Sequence, residues 1–316
     1  MLPTILMQEI DEPANTGVSV IVLNWRNAAD TEVCLESLHR VTRPILNVIV
    51  VDNASGDGSA ERLEAWVASR RSQGDFWRRL MIVRSPVNLG YAGGNNLGIR
   101  AALEQGAEYV IVLNNDTQVD PEFAFHLVKV AQEVRHTAVV GAVIATLPDR
   151  KTYFAGGTVR LLRHHYRGTP AADVDFAPTD IVSGSCLLLT REFLVNEGLL
   201  CEKMFLYGEE MELCHRALSR EYAVSVAYRS RVFHKISASM SGMTASKAYY
   251  NHRSKLILAR RILTPLARAA YHPVYYVNIV RRLAEAAHDP IMRQAICEAV
   301  RDGRRDIGGV WQRHGQ

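Results

Sequence analysis

The chain has 316 residues, 48% hydrophobic and 22% charged, with a net charge of +4. These values suit one large globular domain, or one plus an appendage, and set disorder aside except at the ends. Five widely spaced cysteines (Cys34, Cys186, Cys201, Cys214, Cys297) with no CxxC pair exclude a disulfide framework and a zinc ribbon, and they read as reduced thiols.

Residues 1–16 carry no basic segment followed by an apolar one, so they are expected to be a flexible N-terminus and not a secretory signal. No run approaches the ~18 apolar residues that would span a bilayer, and a cytoplasmic protein is expected. Val18–Leu23 is a β-branched run that reads as a buried strand, ending at the polar Asn24-Trp25-Arg26-Asn27. A helix is expected over 29–39, and a second strand over 46–51 ends at Asp52-Asn53-Ala54-Ser55-Gly56. Another helix follows over 59–69, with a third strand at 80–83. A helix over 95–105 leads to a fourth strand, 109–113, ending at Asn114-Asn115-Asp116-Thr117. Pro121 is expected at the first position of a helix over 122–134.

Strand, polar loop and helix, repeated, mean right-handed βαβ units and a mainly parallel sheet flanked by helices. Ligands of such sheets bind at the carboxyl ends of the strands, where every one of these polar clusters falls. Beyond a run at 139–144, the stretch 164–178 reads as a long loop. A strand is expected over 181–189, a helix over 209–220 and a strand from 223 toward His234. From residue 246 the pattern is helical, with a break at Pro265 or Pro273. Residues 241–316 carry 13 Lys and Arg against 5 Asp and Glu, a net +8, leaving the preceding 240 residues at −4. Such a tail suits phosphates, an anionic membrane face or nucleic acid, although a solvated helical surface explains any single Arg equally well.

Asp116, at a strand end after two amides, suits a divalent cation shared with a diphosphate, or else it starts the next helix. Asp52 suits an N–H of a uracil or thymine ring, or else an Asx turn with Ser55. In Asn88-Leu-Gly-Tyr-Ala-Gly-Gly-Asn-Asn96, Gly90, Gly93 and Gly94 would let backbone approach a ligand, with Asn95 and Asn96 as donors at a helix start. Glu209-Glu210-Met211-Glu212 groups three carboxylates whose repulsion would raise one proton affinity and make a general base, or else it is an acidic first turn. His234 is a hydrogen-bonded structural residue, the commoner case for a lone His, or else a nitrogen ligand that, with Asp116, would suit Mn²⁺ better than Mg²⁺.

Taken together, these segments resemble family 2 glycosyltransferases with a GT-A fold, especially the bacterial rhamnosyltransferase-like branch. The resemblance spans about residues 18–239 and leaves a helical C-terminal extension. It implies a GT-A catalytic domain over 17–240 and a helical, basic region over 241–316. It also implies that Asp52 reads the donor pyrimidine, with Asn24, Asn53, Asn88, Gly90, Asn95, Asn96 and Asn115 lining the nucleotide pocket. Asp116 looks like the last carboxylate of the metal motif, completed by His234, for Mg²⁺ or Mn²⁺. Glu210 stands where the family carries its aspartate base, and Gly184 and Ser185 resemble a segment beside the diphosphate. The motif departs from the pattern at Asn114-Asn115, amides where other branches carry carboxylates, and at Glu210, one methylene longer than aspartate.

The expected function is therefore inverting transfer of a sugar, from dTDP-rhamnose or a UDP-sugar, onto a glycan or lipid-linked hydroxyl in cell-surface polysaccharide synthesis. The expected setting is the inner face of the cell membrane, which the C-terminal region would touch. Nucleic acid is not an expected partner, and a homodimer is compatible with this reading. A sugar-1-phosphate nucleotidyltransferase would need a basic Gly-rich loop after the first strand, which Asn24–Asn27 is not. A noncatalytic nucleotide-sugar-binding protein on the same fold is the other alternative.

Overall fold

The computed structural model describes residues 17–160, 162–169, 174–235 and 244–311. The expected flexible segment 1–16 and the expected boundary at 240/241 lie outside them. The chain opens with β1 (Val18–Asn24), α1 (Ala28–His39), β2 (Asn47–Asp52), α2 (Ser59–Ala68), α3 (Asp75–Arg79) and β3 (Leu80–Arg84). Next come α4 (Gly90–Glu104), β4 (Tyr109–Asn114), β5 (Thr117–Val119), α5 (Phe123–Glu133) and β6 (Thr137–Thr146). Strands β7 (Thr152–Phe154), β8 (Gly157–Arg160), β9 (Arg163–Tyr166), β10 (Phe176–Pro178) and β11 (Cys186–Thr190) precede α6 (Arg191–Glu197), α7 (Glu209–Ser219) and β12 (Ala223–His234). Three helices close the chain: α8 (Ala245–Ile262), α9 (Pro265–Glu285) and α10 (Pro290–Arg304).

The main sheet runs β10-β12-β6-β11-β4-β1-β2-β3, with β5 on β12 and β7 on β6. The block β4-β1-β2-β3 is parallel, as the alternating pattern requires. Strand β11 enters antiparallel between β4 and β6, so the whole sheet is mixed. Because β2 and β4 lie on opposite sides of β1, the chain switches direction at β1, where open α/β sheets bind ligands. Alternate residues of β1 feed opposite faces. Val20 and Val22 pack with α1 and α5, while Ile21 packs with α4 and α6. Helices thus cover both faces, and the strands read as continuous apolar runs.

Several elements differ from expectation for identifiable reasons. Helix α4 begins at Gly90, not 95, because its glycines face the sheet: a Cβ at Gly98 would lie 2.4 Å from Ile21 Cγ2, and at Gly94 2.5 Å from Leu23 Cδ1. Pro121 precedes the N-cap, Glu122, instead of opening α5. The strand expected over 181–189 forms only from Cys186, after a turn at 184–185. Within 164–178, expected as loop, β9 pairs with β8 in a separate hairpin and β10 edges the main sheet. The C-terminal break falls at Pro265, the first residue of α9, while Pro273 sits inside that helix. Helix α8 joins the main core through Ile257, Leu258 and Ala259.

Candidate active site

Strand register brings the first polar clusters together. Asn24 stands opposite Asp52, and Leu23 opposite Asn114, at the carboxyl ends of β1, β2 and β4. Asn24 Nδ2 donates to Asp52 Oδ1 at 2.8 Å, and Thr31 Oγ1 donates to Asn24 Oδ1 at 2.8 Å. Asn115 Nδ2 donates to Thr31 Oγ1 at 2.9 Å, closing a chain from β2 to β4. Asp52 also accepts from Ser55 N at 3.1 Å and Ser55 Oγ at 2.6 Å, so the Asx-type turn forms as well. Asn24, Asp52 and Asn115 are thus one buried-to-half-buried network, beside which Trp25 is half exposed.

The second cluster holds its residues differently. Asn53 Nδ2 donates to Asn88 Oδ1 at 3.1 Å and to Gly90 O at 3.0 Å, while Leu89 N donates to Asn53 Oδ1 at 2.9 Å. Asn96 Nδ2 donates to Leu200 O at 3.0 Å and Glu202 Oε1 at 2.9 Å, and Asn96 Oδ1 accepts from Leu200 N at 3.1 Å. Gly90 has φ +72°, and a Cβ there would lie 2.3 Å from Phe205 O, so its close neighbour is protein backbone. Asn53, Asn88, Gly90 and Asn96 therefore clamp the start of α4 to β2 and to the loops at 200–205. Asn95 is the exception, fully buried with Oδ1 lacking a partner among the described residues.

The two candidate metal ligands meet. The antiparallel pairing of β5 with β12 sets His234 opposite Thr117, and His234 Nε2 lies 3.0 Å from Asp116 Oδ1. The other ring nitrogen, Nδ1, lies 3.3 Å from Ser185 Oγ, a partner that fixes the ring. Among the described residues no group of three or more His, Cys, Asp or Glu could hold a metal. A carboxylate oxygen and an imidazole nitrogen side by side nonetheless fit a cation that takes its other ligands from a diphosphate and water.

Tyr91 Oη donates to Gly184 O, next to Ser185, and Tyr91 lies within electrostatic reach of both Glu209 and Glu210. Burial, and then those two charges, push the Tyr91 phenol well above its ordinary range. Glu210 carries a raised pKa, caused by burial and opposed by backbone N–H groups at the start of α7. Glu209 rises to about 8, first through burial and then through the charge of Glu210. Burial thus outweighs the repulsion anticipated from adjacent carboxylates. The third carboxylate, Glu212, is a buried structural ion, paired with Arg216 at 3.2 Å and Arg261 at 3.4 Å.

One contributor had no sequence signal. The loop bearing Glu209 and Glu210 is bent through positive φ at Phe205 (60°), Tyr207 (70°) and Gly208 (93°), a backbone that neighbours must hold in place. Arg253 of α8 is fully buried and donates to Met204 O at 3.2 Å and Gly309 O at 2.6 Å. Ser254 Oγ donates to Leu206 O at 3.0 Å, and Phe205 stacks on Tyr250 at 4.7 Å. A solvated surface was an equal reading for each tail arginine, and Arg253 contradicts it.

A mixed sheet of this order, covered by helices and carrying polar residues at its strand ends, defines a GT-A glycosyltransferase fold. The chain superimposes on the Pyrobaculum calidifontis mannosyltransferase PcManGT, solved with GDP-Man and Mn²⁺, with a TM-score of 0.57 and 15% identity. The superposition covers 92% of this chain and 87% of that one. Residues 19–196, more than half of the chain, match the family Glycosyl transferase family 2, and the protein belongs to it.

Its relatives include the low-salt glycan biosynthesis hexosyltransferase Agl10 of Haloferax volcanii, 27% identical over 63% of this chain and 61% of that protein. The dTDP-rhamnosyl transferase RfbF of Shigella flexneri is 25% identical over 57% of this chain and 62% of its own. The N-acetylglucosaminyl-diphospho-decaprenol L-rhamnosyltransferase of Mycobacterium tuberculosis is 24% identical over 75% and 82%. The chain therefore matches about three fifths of the length of the first two.

Proposed function

We propose that this glycosyltransferase moves a deoxyhexose, rhamnose from dTDP-rhamnose, onto a saccharide or lipid-linked hydroxyl in one inverting displacement. The observation that carries the reading is the contact of His234 with Asp116 at 3.0 Å, linked through Ser185, Gly184 and Tyr91 to the helix start that bears Glu210. The relatives' names support the sugar, and a UDP-sugar would satisfy Asp52 equally.

Asp52, held by Asn24 and Ser55, accepts the N–H of the pyrimidine, and the Asn24–Asn115 network orients it. Asp116 and His234 would hold Mg²⁺ or Mn²⁺, which when bound supplies positive charge against the departing diphosphate. Glu210 takes the acceptor hydroxyl proton as that oxygen bonds to the anomeric carbon. The anomeric C–O bond breaks on the opposite face, and its electron pair leaves on the diphosphate. A carboxyl raised by burial is a stronger base than one in water, and its proton affinity is better matched to neutral pH.

Among the described residues no helix is long and apolar enough to cross a membrane. Helix α9 instead exposes Leu266, Val274, Val277 and Val280 beside Arg281, a face suited to lying on an anionic membrane surface at its cytoplasmic side. The test of the transfer reading is Glu210→Gln. Turnover should fall roughly 10²- to 10⁴-fold with donor binding nearly intact. Unchanged turnover would remove Glu210 from the role of base.

A further inference from the structure

Glu210 itself lines a cavity of about 190 Å³, together with Tyr166, Tyr207, Leu162, Asn251 and Lys255. A larger one of about 380 Å³ opens between α8, α9 and α10, with Tyr271, Tyr275, Arg282 and Ile296 in its wall. Leu162, Asn251 and Lys255 line both cavities, so a ligand can occupy them together.

Lys255 stands at the junction without a hydrogen bond or ion pair among the described residues. Burial first, and the neighbouring Arg282 second, push its ammonium below the ordinary lysine range. His252, also in the wall, is pushed down to about 4 by burial and then by Lys255 and Arg282. The two acids in the wall of the larger cavity, Glu285 and Asp289, are otherwise engaged. Glu285 accepts from Arg281 and Arg282 at 2.9 Å each, and Asp289 Oδ1 caps α10 by accepting from Met292 N at 2.9 Å. Arg282 already gives one nitrogen to Glu285, whereas Lys255 has no counter-ion among the described residues, and a half-buried ammonium in that position is costly unless an anion joins it.

We propose that Lys255 and Arg282 bind the phosphate or diphosphate of the acceptor, seated between α8, α9 and α10, while its sugar hydroxyl reaches Glu210. This rests on the glycosyl-transfer reading and adds to it the chemical class of the acceptor, a saccharide carrying an anionic phosphate ester. Lysine supplies the point charge and arginine a planar fork, both suited to phosphate oxygens. The tyrosines and Ile296 offer the adjoining apolar wall that a prenyl chain would use.

The test is binding by the full chain in EDTA, with inorganic pyrophosphate and farnesyl diphosphate as probes. Wild type should bind at least one of them, Lys255→Met and Arg282→Gln should each weaken binding about tenfold or more, and Lys255→Arg should retain most of it. Circular dichroism serves as the folding control. Much tighter farnesyl diphosphate binding assigns the phosphate to a lipid carrier, and equal binding of the two probes assigns it to a soluble saccharide phosphate. Equal dissociation constants for wild type and Lys255→Met, or no binding of either probe by wild type, overturns the subsite even if sugar transfer is intact. Intact diphosphate binding without sugar transfer would instead count against the transfer reading alone.

Discussion

Replacing Arg253 with Met tests whether the C-terminal helices hold the base-bearing loop. The guanidinium makes three hydrogen bonds, to Gly309 O at 2.6 Å, Met204 O at 3.2 Å and Tyr249 Oη at 3.3 Å, and lies about 5 Å from the Tyr249 and Tyr250 ring centres. Hydrogen bonds to a charged group contribute about 1.5–3 kcal/mol each. Met204 O keeps Ser254 Oγ as a donor at 3.2 Å, and removing a buried charge recovers part of its desolvation cost. A net loss of about 3 kcal/mol results, which for a chain of this size lowers Tm by roughly 4–5 °C.

The loss should also reach catalysis, because Met204 begins the positive-φ turn that aims Glu210. A displacement of about 1 Å costs on the order of 100-fold in rate. Differential scanning fluorimetry, donor-nucleotide binding and sugar transfer should therefore show a lower Tm and reduced turnover with donor affinity retained. A Tm within about 1 °C of wild type, together with unchanged turnover, would refute the buttressing role.

Asp116→Ala should weaken Mn²⁺-dependent donor binding by more than about tenfold while leaving metal-free nucleotide binding unchanged, as titrations with and without the ion will check. Glu209 is protonated in the fold up to about 8 but ionises near 4.5 when unfolded, so its contribution to stability is complete below the unfolded value and is lost as pH rises through the folded one. The Tm advantage of Glu209→Gln over wild type should therefore grow from pH 4.5 to pH 8, and parallel curves would exclude this titration. Because burial raises Glu210, transfer should increase with pH above the ordinary carboxylate range, and a Glu210-independent profile would argue for another base. Val277→Glu on the exposed face of α9 should abolish flotation with anionic liposomes, and equal flotation of both proteins would show that α9 does not meet the membrane.

The parallel half of the fold was legible because its signals are local. Runs such as Val18–Leu23 and Tyr109–Leu113 can bury both faces only inside a helix-covered sheet, and the polar residues following them must then lie at the strand ends. The motif order located the pairing of Asp116 with His234 across 118 residues of chain. The glycines of the α4 start were ambiguous, since close approach to a ligand and close approach to Leu23, Ile21 and Phe205 demand the same missing Cβ. Strand β11 gave no sign of its direction, because an apolar run reads the same parallel or antiparallel.

The sequence by itself determined the strands and helices of the parallel half, and which polar side chains gather at the carboxyl ends of β1, β2 and β4, because periodicity and chain order there require it. Tertiary structure decided which member of each cluster is spoken for by the protein: Asn53 and Asn96 by loops, Glu212 by two arginines, Arg253 by backbone carbonyls. It also left Lys255 without a hydrogen bond or ion pair among the described residues. Burial and partnership come from packing between residues far apart in the chain, and no local pattern encodes them.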